Sequence, residues 1–158
     1  MDKKLSIVIA SRDDDYGNDP HEGIYDLDFI PLENIERTKI SIEKNVNFFK
    51  QNLDFDFEYI VIDWSPIDNK FLYENPKLKD ILSDSHIKNI IVQPTSLEKL
   101  GLNPDGFHEY FAKNVGIRNS VGEYILILNS DGIVSKKIIK EINSVIKNEE
   151  KEYYFRPH

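Results

Sequence analysis

The chain alternates between short, nearly continuous apolar runs and longer stretches in which apolar residues recur at helical spacing. The short runs are rich in branched residues, which is typical of strands buried on both faces of a parallel sheet. They occupy residues 5–10, 57–64, 87–92 and 123–128. Helices are predicted at residues 35–53, 77–84 and 107–120. Ser135 is placed to cap a last helix, which is predicted to begin there. Strands that alternate with helices predict an α/β protein with a mostly parallel sheet and helices on both faces.

The remaining segments are polar. Residues 13–34 are acidic and contain glycine and proline, so they are predicted to form a long loop. Pro94 is predicted to close the third strand, and a second loop is predicted to follow it and to end at residues 103–106. Residues 153–156 are predicted to begin a further strand. A chain of 158 residues is long enough for one domain, and we expect residues 1–158 to form a single one.

Composition narrows the classes of function. The net charge of -8 argues against general electrostatic binding of nucleic acid or anionic membranes. With no cysteine, the chain has no disulfide, no thiolate metal site and no cysteine nucleophile. No run approaches the roughly 20 apolar residues of a membrane span, and no targeting segment is evident. These features predict a cytoplasmic protein.

Acidic residues follow three of the four predicted strands, at residues 11–15, 63–68 and 129–132. In open parallel sheets ligands bind at the carboxyl ends of the strands, and clustered carboxylates there repel one another unless a cation binds them. Asn129 and Asp131, two residues apart, offer oxygen ligands that suit Mg²⁺ or Mn²⁺. An alternative interpretation is that residues 129–132 form an ordinary turn before the last helix.

A longer motif favours the functional interpretation. Residues 112–131, AKNVGIRNSVGEYILILNSD, combine an Asn-x-Gly helix, a Gly-Glu-Tyr-Ile strand and a metal-type motif. This segment resembles the GT-A glycosyltransferase domains of family 2 type. Residues 11–17 after the first strand and 61–66 after the second resemble one subgroup of the same family. The resemblance implies a Rossmann-like three-layer sandwich that binds a nucleotide-diphospho-sugar, with residues 17–34 as an inserted loop.

The resemblance also implies roles for individual residues. Asp131, with Asn129, would bind Mn²⁺ or Mg²⁺, which neutralises the donor diphosphate. The residues expected at the donor are Ala10, Ser11, Arg12, Asp63, Trp64, His108, Lys113, Arg118, Asn129, Ser130 and Asp131. A UDP-sugar is the favoured donor, with GDP- and dTDP-sugars as alternatives. The expected reaction is inverting transfer of the sugar to a hydroxyl of a glycan or protein acceptor.

The sequence departs from the family pattern at two places. Asn129 replaces the usual first Asp of the metal motif, so the motif has one carboxylate instead of two. Domains of this family also continue for many tens of residues past this point, so the part that binds the acceptor and supplies the catalytic base is expected to be missing. A non-catalytic nucleotide-sugar-binding or interaction module with the same fold is therefore the alternative function.

Other classes fit less well. A nucleotidyltransferase would have a glycine-rich, basic phosphate loop after the first strand, whereas residues 11–15 are acidic and lack glycine. A dinucleotide-dependent dehydrogenase would have a G-x-G-x-x-G motif after a strand, and this chain has none. Single residues also have structural interpretations. Trp64 and His108 could be packing residues, Arg12 an exposed ion-pair partner and Lys113 a solvated helix residue. Arg118 could pair with a helix C-terminus or with Glu123.

Overall fold

The computed structural model describes residues 4–13 and 34–149, which form one four-stranded sheet flanked by helices. The strands are β1 (Leu5–Ser11), β2 (Phe57–Trp64), β3 (Ile87–Val92) and β4 (Tyr124–Ile127). The helices are α1 (Asn34–Asn52), α2 (Lys79–Leu82), α3 (Pro94–Lys99), α4 (Glu109–Arg118) and α5 (Lys136–Lys147). The strand order is β3-β2-β1-β4, and every neighbouring pair is parallel.

Both faces of the two central strands are buried, which explains their continuous apolar sequence. On one face, Ile7 and Tyr59 pair across β1 and β2 and pack against α1, α2 and α5. On the other face, Val8 and Ile60 pair and pack against α3 and α4. The result is three layers, helix on sheet on helix.

The sequence predicted this fold class, and the structure confirms an α/β protein with a parallel sheet. One prediction is wrong: the segment after Val92 does not begin as a loop, because α3 starts at Pro94. Proline at the first helical position has its fixed φ already suited to a helix, so Pro94 ends β3 and begins α3. The predicted helix at residues 77–84 is a single turn, α2.

Some sequence predictions concern residues outside those described. The strand expected at residues 153–156 and almost all of the inserted loop at residues 17–34 fall there. The single-domain boundary at 1–158 therefore stays a prediction. Within residues 4–13 and 34–149, no helix is long and apolar enough to cross a membrane.

The connections define where a ligand can bind. The chain steps outward from β1 to β2 to β3 and then crosses to the opposite side of β1 to form β4. The direction of the connections therefore reverses at β1, and the helices α1 and α4 lie on opposite faces of the sheet, which leaves a crevice between β1 and β4. This crevice is the position that parallel sheets use for ligands.

Candidate functional site

A cavity of about 270 Å³ lies at the crevice between the ends of β1 and β4. It is near the lower end of the roughly 300–1,000 Å³ typical of small-molecule sites. The lining comes from four segments: the end of β1, the first turn of α1, the start of α4 and the loop after β4. The residues are Ala10, Ser11, Arg12, Asn34, Arg37, Phe107, Glu109, Asn129, Ser130 and Asp131.

The end of β1 is fixed by buried polar contacts. The Ser11 and Thr38 hydroxyl oxygens lie 3.0 Å apart, which ties β1 to α1. Arg12 is only 5% exposed, and its Nη1 donates to the Asp105 carbonyl oxygen at 3.0 Å. The Arg12 guanidinium also lies 5.8 Å from the centre of the Phe107 ring. Arg12 therefore holds the segment before α4 in place and positions Phe107 in the cavity wall.

The loop after β4 is held by α1. Asn45 Nδ2 and Ser41 Oγ both donate to the Gly132 carbonyl oxygen, at 2.7 Å and 2.8 Å. Asn45 Oδ1 accepts a hydrogen bond from the Val134 amide at 2.9 Å. Asn45 and Ser41 are fully buried. These bonds fix the backbone that directly follows residues 129–131 and so determine the position of that motif.

Lys113 links α4 to the motif after β4. Its Nζ donates to Asn129 Oδ1 at 3.0 Å and also pairs with Glu109 Oε1, one helical turn earlier. The Lys113 side chain is 14% exposed. The amide oxygen of Asn129 that sequence analysis assigned to a metal is therefore already bound by an ammonium group.

Arg37 lies in the first turn of α1 and lines the cavity. Its Nε is buried and has no hydrogen-bond partner among the described residues. The first turns of α1 and α4 both face the cavity, through Asn34 and Glu109. The unpaired amides and the dipoles of helix N-termini favour anions. The cavity therefore combines an unsatisfied cationic donor with two helix ends suited to negative charge.

Asp63 lies at the same edge of the sheet as the cavity, but it does not line the cavity. It pairs with Ser11 in the parallel register, is fully buried, and its Oδ2 accepts from the Leu72 amide at 2.8 Å. Asp63 Oδ1 has no hydrogen-bond partner within residues 4–13 and 34–149. Burial raises the pKa of Asp63 to about 6, against the opposing effect of the Leu72 hydrogen bond.

Trp64 and His108 support the wall behind the cavity. Trp64 is 2% exposed, and its Nε1 donates to the Gly106 carbonyl oxygen at 3.3 Å. His108 immediately precedes α4, and its Nε2 lies 2.9 Å from the Asn103 carbonyl oxygen. The two rings meet edge to face at 6.3 Å. Both residues therefore pack behind the cavity, as in the structural interpretation that the sequence allowed for them.

Arg118 is at the opposite end of the molecule from the cavity. It ends α4, which begins at the cavity with Glu109. The residues just after it contact the amino ends of the strands: Asn119 accepts from Lys88, and the Val121 amide donates to Glu58. The expectation that Arg118 lies at the donor site is therefore not supported, because α4 runs antiparallel to the strands.

The residues present do not form a metal site of their own. Asn129 Oδ1 is taken by Lys113, and Glu109 is also paired with Lys113. Asp131 is exposed and is the one carboxylate of the motif. Across residues 4–13 and 34–149, no three His, Cys, Asp or Glu residues are grouped closely enough to hold a metal ion. No metal-dependent step is therefore derived, and the Mn²⁺ or Mg²⁺ expectation stays a prediction.

The structure brings together six of the predicted site residues, and it adds four that sequence analysis missed. The six are Ala10, Ser11, Arg12, Asn129, Ser130 and Asp131, and the four are Asn34, Arg37, Phe107 and Glu109. The missed residues come from the starts of α1 and α4. A helix that connects parallel strands begins at the carboxyl edge of the sheet. The first turns of the predicted helices could therefore have indicated these residues, which the strand ends alone did not.

Comparisons with known proteins do not assign the chain to a family. No family model matches the chain, and no curated protein matches it. Among solved structures, the crystal structure of S. aureus TarS 1–349 matches with 15% sequence identity and a TM-score of 0.48. The match covers 92% of this chain and 32% of that one, so this chain spans about a third of its length. A likeness of this degree concerns the course of the chain, and function has to be argued from the cavity.

Proposed function

We propose that this chain is the donor-binding domain of a glycosyltransferase and that a nucleotide-diphospho-sugar binds in the cavity between β1 and β4. The observation that supports this proposal is the convergence of two distant sequence segments. Residues 10–12 and 129–131, which both belong to motifs of the family resemblance, line one cavity at the switch point of the sheet. Such convergence is expected of a binding site and is not required by the core.

The lining suits the parts of such a donor. Phe107 offers an aromatic surface for the nucleoside, and the helix starts and Arg37 offer positive potential for the diphosphate. A UDP-sugar is the favoured donor, with GDP- and dTDP-sugars as alternatives. The acidic surface of the chain does not oppose this ligand, because the cationic groups are local.

The proposed reaction is transfer of the sugar to an acceptor hydroxyl of a glycan or protein. The acceptor oxygen forms a bond to the anomeric carbon while the bond from that carbon to the diphosphate breaks. The hydroxyl proton passes to a carboxylate base in the acceptor-binding part of the enzyme. Negative charge grows on the departing nucleoside diphosphate, so the cationic groups of the cavity stabilise the transition state more than the ground state.

Calorimetric titration of the chain with UDP-, GDP- and dTDP-glucose tests the donor site. We expect at least one of them to bind with a dissociation constant between roughly 1 μM and 1 mM, the usual range for substrates. Ser130→Phe, which fills the cavity, should weaken binding at least about tenfold. Ser144→Phe on the exposed side of α5 is the matched control and should bind as the wild type does. The absence of binding to all three sugars would contradict the proposal.

The second candidate is a nucleotide-sugar-binding module without turnover. The contact that favours it is the bond from Lys113 to Asn129, which occupies the motif that family members use for metal. Release of free glucose from the bound donor distinguishes the two functions. Slow hydrolysis that Ser130→Phe abolishes indicates an enzyme, and tight binding without any release indicates a module.

A further inference from the structure

Lys113 and Arg37 are cationic side chains at or beside the cavity, where a metal ion would otherwise supply the positive charge. We propose that the diphosphate is bound by the side chains of Arg37 and Lys113 without a divalent cation, an inference that rests on the proposed function. It goes beyond the family pattern, in which the motif after β4 binds metal.

The first argument is the position of the Lys113 ammonium. It lies 3.0 Å from Asn129 Oδ1 and also contacts Glu109. A divalent cation on the same oxygen would lie next to this ammonium, and the two positive charges would repel each other. The neutral amide of Asn129 accepts from the lysine without adding a negative charge, whereas an aspartate would add a second carboxylate beside it after Glu109. The substitution that weakens a metal site therefore strengthens an anion site.

The second argument is the unsatisfied guanidinium of Arg37. Its Nε is a buried donor without a partner in the described part of the chain, which is costly unless a ligand or water satisfies the group. A guanidinium presents its donors in a planar fork that matches two phosphate oxygens. Arg37 also lies at the start of α1, where the helix dipole adds to its positive potential. An anion in the cavity would meet both the charge and the donors of Arg37.

The third argument is the balance of charge around the cavity. Among the described residues that line or adjoin it, three are cationic: Arg12, Arg37 and Lys113. Two of the lining residues are carboxylates, Glu109 and Asp131, and Glu109 is paired with Lys113. Asp131 is exposed on the loop after β4. Two carboxylates, of which one is already paired with an ammonium, are too few for a cation site at this place.

Titration in EDTA tests the inference, with inorganic pyrophosphate, UDP, GDP and dTDP as probes. We expect binding of pyrophosphate and of at least one nucleoside diphosphate without metal, and less than a twofold gain on replacing EDTA with Mn²⁺. Arg37→Gln and Lys113→Gln should each weaken binding at least tenfold, and Arg37→Lys should weaken it less. Asp131→Asn should tighten binding several-fold, because it removes a negative charge beside the anion. A metal ligand would behave in the opposite way.

The control is Lys44→Gln, which removes one positive charge from the exposed side of the same helix as Arg37. It should bind as the wild type does, which separates a local contact from a change in net charge. Thermal unfolding of every variant distinguishes lost contacts from lost structure. If Arg37→Gln does not fold, the graded effects of Arg37→Lys and Lys113→Gln still decide the question.

The outcomes separate the inference from the proposed function. Binding of nucleoside diphosphates only with Mn²⁺, lost in Asp131→Asn, overturns the inference and supports the glycosyltransferase proposal. Metal-free binding of pyrophosphate through Arg37 with no added affinity for any nucleoside diphosphate supports the anion site and overturns the nucleotide-sugar proposal. Failure of every probe to bind under both conditions overturns both.

Discussion

Asn45 of α1 holds the backbone at Gly132 by donating from Nδ2 to its carbonyl oxygen at 2.7 Å. The same side chain accepts from the Val134 amide at 2.9 Å, so one buried residue satisfies two backbone groups of the loop after β4. Neither group belongs to a helix or strand ladder, and buried backbone groups need such partners. The orientation of residues 129–131 toward the cavity therefore depends on α1.

Asn45→Ala should lower the free energy of unfolding by about 1–3 kcal/mol, because the Val134 amide loses its partner in a buried place. Ser41→Ala should cost less, because Asn45 still donates to Gly132. Urea denaturation measures both changes. Asn45→Ala should also weaken nucleotide binding by more than Ser41→Ala does. Equal effects of the two variants on stability and binding would contradict this division of roles.

The Asn-x-Gly pattern of α4 has a packing explanation that a double mutant can test. A Cβ on Gly116 would lie 2.3 Å from Val8 Cγ1, so α4 approaches β1 as closely as glycine allows. Gly116→Ala should therefore destabilise the protein by about 1–3 kcal/mol through overpacking.

Val8→Ala removes the clashing methyl group. The double variant should be more stable than the sum of the two single effects implies, with a coupling of about 0.5–3 kcal/mol. The measurement is urea denaturation of all four proteins in the cycle. Strict additivity would show that the close approach of α4 and β1 is not the reason for glycine at this position.

Asp63 should make stability fall as pH rises from about 4 to 7. Burial raises the pKa of native Asp63 to about 6 from an ordinary 3.8, so the native state holds its proton across this window while the unfolded chain loses it. Stability from the protonated form is complete below about pH 4 and is lost as pH rises through about 6. The difference amounts to at most about 3 kcal/mol.

Asp63→Asn keeps an acceptor for the Leu72 amide and does not titrate. The unfolding free energy of wild type relative to Asp63→Asn should therefore decline from pH 4 to pH 7. Asp84 gives a control of opposite sign: its partial burial opposes ionisation, but hydrogen bonds from Lys50 and His86 prevail and lower its pKa. Wild type should gain stability over Asp84→Asn with rising pH. A flat difference for Asp63 would disprove its protonation in the native state.

Asn129→Asp should convert the cavity toward metal dependence. The new carboxylate adds a negative charge beside Lys113 and, with Asp131, gives two acidic ligands two residues apart. We expect nucleoside diphosphate binding in EDTA to weaken several-fold and Mn²⁺ to restore it, as measured by calorimetry. Tighter binding of this variant in EDTA, with no response to Mn²⁺, would contradict the role given to Lys113.

The fold could be predicted from the sequence because the sequence signals of its strands and helices are local. The runs that became β1 and β2 are apolar on both faces, and the helical spacing of α1 and α5 is regular. The error at α3 arose because Pro94 was interpreted as the end of a strand only, although proline also begins helices.

The site could be predicted from the sequence only in part, for a different reason. Strand ends mark one edge of the sheet, which located residues 10–12 and 129–131. Arg37 and Glu109 reach the same edge from helix starts, and Arg118 is carried away from it by the direction of α4. The bond between Lys113 and Asn129 joins residues 16 apart, and only the packing of α4 on β1 and β2 creates it.

Amide NMR of the isotopically labelled chain titrated with UDP-, GDP- and dTDP-glucose in Mg²⁺ tests the central claim most directly. Binding in the cavity predicts that the largest shift changes fall at residues 10–12, 34–37, 107–109 and 129–131, and that residues 119–123 at the opposite edge stay unchanged. Saturating changes confined to another surface, or none with any of the three sugars, would contradict a donor site between β1 and β4.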